Sequence, residues 1–113
     1  MMKQAQDFLE ECEAIHALVA DLTDAEMEQE TDFKGWTINQ ILRHLHFWNM
    51  AAHWSLRDTA KFKSLTSGVL TSMSKADKND PSPIRTMEAE YLDNLSGAKL
   101  VKTWRDFYAE MAT

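Results

Sequence analysis

Apolar residues recur along this chain at helical rather than alternating intervals. Over residues 3–22 they fall at Phe8, Leu9, Cys12, Ile15, Leu18, Val19 and Leu22, one stripe on a helix of about 3.6 residues per turn. In "LTDAEMEQE", Thr23 precedes Glu26 by the spacing of a capping box, and Leu22 with Met27 fits a hydrophobic staple. That pattern predicts a short acidic helical turn before a loop over residues 31–35. A second start follows, with Thr37 as N-cap, Gln40 closing the box, and Trp36 and Ile41 as the staple pair. Ile38, Ile41, Leu42, Leu45, Asn49, Ala52 and Leu56 then form the stripe of a helix over residues 38–61, roughly 35 Å long.

The pattern breaks over residues 64–83. "SLTSGVLTSMSKADKNDPSP" contains Gly68, Pro81, Pro83 and many short polar residues, so it predicts an internal loop with one amphipathic turn. Helix resumes over residues 84–95, with Met87, Tyr91, Leu92 and Leu95 on one face. Glu88 and Glu90, beside Tyr91, read as an exposed edge. Ser96 caps a last helix carrying Leu100, Val101, Trp104, Phe107, Tyr108 and Met111. That helix is still amphipathic where the sequence stops, so either it packs at the end of the domain or more protein belongs there. No internal repeat is visible, and the prediction is an all-α fold in one domain spanning residues 1–113.

Composition sharpens the picture by exclusion. Hydrophobic residues are 44% and charged residues 27%, the balance of a soluble globular domain. A net charge of -6, with lysines and arginines scattered among carboxylates, argues against a nucleic-acid partner. No window approaches the ~18 uninterrupted apolar residues of a membrane span. The first residues carry no secretory apolar stretch. A lone Cys12 has no internal disulfide partner and reads as a small buried hydrophobe in a reducing cytoplasm. Glu10, Glu11 and Glu13 surround it, the wrong field for a nucleophilic thiolate.

Three of the four histidines lie in "GWTINQILRHLHFWNMAAHW". His44 and His46 project about 200° apart on a helix, so they do not chelate one ion together. His46 and His53 share a face but are separated by about 10 Å of rise, too far for one ion. Each imidazole offers at most one ligand, and the commoner role for His16, His46 and His53 is partial burial beside the core stripe. The acidic run Asp21, Asp24, Glu26, Glu28, Glu30 and Asp32 lacks EF-hand spacing and reads as a solvated face. G-x-S-x-G, P-loop, CxxC and dinucleotide motifs are absent. The tryptophans and methionines read as core fillers.

The order of these signals resembles a family. "LTDAEMEQETDFKGWTINQILRHLHFWNMAA", followed by a loop and "MEAEYLDNLSGAKLVKTWRDFYAEM", is similar to the DinB/YfiT-like superfamily, in particular to the metal-binding N-terminal domain of mycothiol-dependent maleylpyruvate isomerases. The resemblance runs over nearly the whole chain, and Gly-Trp…His-Leu is its most specific element. It implies an up-down four-helix bundle holding a divalent metal, often zinc or nickel, through three histidines at one end. His44 matches the histidine of the His-Leu pair. The other two ligands of such members form an HxxxH on the fourth helix, a motif this sequence does not contain.

The resemblance therefore implies a bundle lacking its fourth helix, and an apolar groove that a homodimer would cover. Two functions follow as expectations. One is a metal-dependent, thiol-dependent transferase or isomerase acting on a small-molecule substrate, with His44 as ligand. The other is a non-catalytic helical dimerisation module that has lost the metal site. Bound metal, and its loss on replacing His44, separates them.

Overall fold

A computed structural model describes residues 3–76 and 82–112. Its described residues form six α-helices: α1 (Lys3–Val19), α2 (Asp24–Met27), α3 (Ile38–Arg57), α4 (Thr59–Lys75), α5 (Ser82–Tyr91) and α6 (Gly97–Met111). The protein is all-α, as its periodicity predicts. Extended backbone pairs among the described residues only at an isolated bridge between Glu30 and Thr37. None of these helices is long and apolar enough to cross a membrane. The chain divides into two compact units, Met1–Leu42 with Ser96–Thr113, and Arg43–Leu95.

In the first unit the capping boxes form where the sequence places them. Glu26 N donates to Thr23 Oγ1 at 3.1 Å, and Thr23 N donates back to Glu26 Oε1 at 3.0 Å. That backbone donor holds the Glu26 carboxyl below its usual range. Thr37 and Gln40 make the same reciprocal pair at 2.9 and 3.1 Å. Helix α1 packs on α6. It buries Cys12 and Val19, while α6 buries Leu100, Val101, Trp104 and Tyr108. Leu18 departs from the predicted stripe and is 77% exposed, because Val19 takes the inward position beside it.

Ser96 takes the extended conformation of an N-cap, but its side chain makes no capping bond. The start of α6 is held instead by residues distant in sequence. Gly97 N donates to Asn39 Oδ1 at 2.9 Å, and Ala98 N donates to Asp24 Oδ1 at 3.3 Å. Asn39 is buried, and its amide also donates to Glu28. Gly97 has φ +62, and a Cβ there would run into the Asp24 carboxylate. Gly97→Ala is therefore expected to cost at least about 1–2 kcal/mol from the left-handed backbone alone, with displacement of Asp24 in addition. Urea denaturation checks this, and a midpoint equal to wild type would refute it.

In the second unit the predicted helix over 38–61 stops at Arg57. Asp58, extended at φ -152 and ψ 94, ends it and caps α4, accepting from Lys61 N at 3.1 Å. Leu56, placed on the predicted core stripe, is 88% exposed. The inward face of α3 is turned about one residue, toward Asn39, Leu42, His46, Phe47 and Ala51. The large Phe47, with Met50 and Trp54 beside the core, decides that rotation.

The predicted loop over 64–83 is corrected for most of its length, since α4 runs through it to Lys75. Phe62, Leu65 and Val69 recur at helical spacing and join Phe47, Ala51 and Met87 in one cluster. The hydroxyls that suggested a loop bond back to their own helix, Thr66 to Phe62 O at 2.9 Å and Ser67 to Ser64 O at 2.8 Å. Residues 77–81 of the predicted loop lie outside the described residues. Helix α5 packs on α4 and carries Pro83 in its first turn, where a missing N–H costs nothing. It stops at Tyr91, short of the predicted end, and Asp93 and Asn94 follow in left-handed conformations. Arg43 Nε donates to Leu95 O at 2.8 Å and fixes the chain beyond this turn.

Candidate functional site

The second unit contains a buried carboxylate in contact with three side chains. Glu88 of α5 is 1% exposed, and its Oε2 lies 2.8 Å from His44 Nδ1 and 2.8 Å from Trp48 Nε1. Arg85, one turn earlier on α5, places Nε 3.0 Å from Glu88 Oε1 and donates from Nη2 to Oε2 at 3.4 Å. A buried charge is tolerated when it is paired and hydrogen-bonded, and Arg85 and Trp48 supply both. Burial pulls the Arg85 guanidinium down from its ordinary value, and the facing Glu88 opposes that shift.

Helical geometry explains the grouping. His44 and Trp48 are four apart on α3, so they present adjacent side chains to α5. Their rings meet edge to face at 6.3 Å. Arg85 and Glu88 are three apart on α5. His44 keeps 38% of its side chain exposed above the buried carboxylate. The result is a solvent-reaching imidazole braced from beneath by a carboxylate.

The other histidines have different places. His46 is buried, and desolvation pushes it down to about 4 from an ordinary 6.5. The unfolded chain therefore takes up this proton first as pH falls. The contribution of His46 is complete above pH 6.5 and is lost as pH falls through about 4. A loss on the order of 2–3 kcal/mol is expected across that window. Denaturation midpoints measured through it check the sign, and His46→Leu should flatten the slope. His53 lies 4.5 Å from the Trp54 ring. His16, in the first unit, lies 6.3 Å from Trp104. Cys12 is buried, and desolvation with Glu11 and Glu13 raises its thiol to about 11, which suits packing rather than attack.

Glu88 is the residue that sequence reasoning placed wrongly, as an exposed edge. One signal pointed inward: on a helix Glu88 shares a face with Ile84, Tyr91 and Leu92. A carboxylate inside an apolar stripe, with Arg85 three residues before it, marks a buried pair.

His44 is the side chain of this arrangement that the resemblance assigns to a metal. Among the described residues no group of three or more His, Cys, Asp or Glu side chains is placed to hold a metal ion. The described residues therefore do not make up a complete ligand set.

The described residues define an all-α helical protein. The chain belongs to the mycothiol maleylpyruvate isomerase N-terminal domain family, within the DinB/YfiT-like superfamily, and the family model matches residues 8–113. Comparison with curated proteins and with solved structures found no match.

Proposed function

We propose that this protein is a metal-binding DinB/YfiT-like protein in which His44 supplies one ligand to a divalent ion such as zinc or nickel. The activity class that fits the family is a thiol-dependent transferase or isomerase acting on a small molecule in the cytoplasm. The observation that carries this reading is the brace under His44: a ligand histidine commonly donates its second ring nitrogen to a carboxylate, and Glu88 stands 2.8 Å from His44 Nδ1. A bound ion would serve as a Lewis acid toward a substrate oxygen or a thiol. One imidazole gives no lasting affinity, so binding requires further ligands beside His44.

The test is native mass spectrometry of protein purified without chelator. The expected result is a zinc- or nickel-loaded species that disappears in His44→Ala while circular dichroism is unchanged. Metal-free wild-type protein, after incubation with zinc and nickel, sinks the proposal.

A second reading, a non-catalytic homodimerisation module, is favoured by Leu70 and Met73, large exposed side chains three apart on α4. It expects a dimer in sedimentation that His44→Ala leaves intact and that Leu70→Glu dissociates.

A further inference from the structure

We propose that Glu88 is a positioning residue: held as an acceptor by Arg85 and Trp48, it fixes His44 in the tautomer protonated at Nδ1. An indole Nε1–H donates and never accepts, and a guanidinium likewise only donates. Both address Glu88: Trp48 Nε1 donates to Oε2 at 2.8 Å, and Arg85 donates from Nη2 to Oε2 at 3.4 Å with its Nε in ion-pair contact 3.0 Å from Oε1. A carboxylate between two obligate donors, one of them a permanent cation, is the acceptor in its remaining contact as well. That contact is His44 Nδ1 at 2.8 Å, so Nδ1 carries the proton. In a neutral imidazole the lone pair is then on Nε2.

Position reinforces the assignment. Glu88 is fully buried on α5, and Arg85 is held beside it on the same helix, so the acceptor does not swing away with solvent. The Trp48 ring stands against the His44 ring at 61° and restricts its rotation. The bracing residues therefore do two things: they aim the imidazole, and they choose which nitrogen faces a ligand. Naming Nε2 as the metal-facing atom rests on the proposed function above, whereas the tautomer itself does not.

The first experiment is long-range proton–nitrogen NMR of metal-free, histidine-labelled protein at a pH where the imidazole is neutral, with His44→Gln to assign the signal. The expected wild-type spectrum shows His44 Nδ1 as the protonated nitrogen and Nε2 as the bare one. Glu88→Gln should move His44 toward a mixture of tautomers, whereas Trp48→Phe, which keeps the carboxylate, should leave it unchanged. A wild-type His44 protonated at Nε2 overturns the proposal, and that spectrum decides even if Glu88→Gln fails to fold. A folded Glu88→Gln protein with an unchanged tautomer also overturns it. Zinc titration then separates the two readings. A loss of about 10- to 100-fold in affinity in Glu88→Gln supports both. A fixed Nδ1–H tautomer in a protein that binds no metal supports the positioning role and removes only the metal function.

Discussion

Glu88→Ala is expected to remove about 3–5 kcal/mol of stability, because it breaks a buried ion pair from one side only. The carboxylate is 1% exposed and Arg85 shows only 13% of its side chain. Its loss therefore takes away the carboxylate that faces the guanidinium in a site that water barely reaches. Trp48 Nε1 loses its 2.8 Å acceptor in the same step. The double change Glu88→Leu with Arg85→Met should cost much less than Glu88→Ala alone, since it removes both charges and refills the space. Thermal or urea denaturation of the three variants measures the difference. If Glu88→Ala proved as stable as wild type, the buried pair would carry no structural weight, and the brace under His44 would lose its physical basis.

Trp104→Ala should be comparably severe, at about 3–5 kcal/mol for emptying an aromatic site in a packed interior. Trp104 is buried on α6 and meets Tyr108 edge to face at 4.8 Å. Burial and the nearby Glu13 push the Tyr108 hydroxyl up to about 12, so that ring stays neutral at ordinary pH and packs as an apolar surface with one polar edge. Trp104 Nε1 has no hydrogen-bond acceptor among the described residues. Trp104→Phe is therefore expected to lose only part of the alanine effect, since it gives up volume but no hydrogen bond. Equal losses in the two variants would mean that the indole nitrogen, and not ring volume, holds the site.

These two residues also show what the sequence makes legible. Trp104 lies in an uninterrupted i, i+3, i+4 stripe, and its burial follows from spacing alone. The capping boxes at Thr23 and Thr37 were equally readable, because a box is a local reciprocal contact between residues three apart. Glu88 was misread because its partners, His44 and Trp48, stand 44 and 40 positions earlier. Periodicity within one helix says which face is inward, but not which donor waits on the neighbouring helix. Residues 64–75 misled for a different reason. Serine and threonine favour loops when their hydroxyls compete for the backbone, whereas here those hydroxyls return to their own helix. The Gly-Trp…His-Leu element singles out His44 in the sequence, but its contact with Glu88 is not legible there.

The tie at the start of α6 bears on the order in which the protein assembles. The acceptors for Gly97 N and Ala98 N lie 58 and 74 residues upstream, so the first turn of α6 gains its caps only after a long stretch of chain has closed. The entropy of that closure is spent before the two hydrogen bonds exist. This places them on the late, native-like side of the folding barrier, where a truncation such as Asn39→Ala speeds unfolding more than it slows folding. Helix α6 can begin as a helix from its own sequence, but its N-terminal end is finished by residues made long before it.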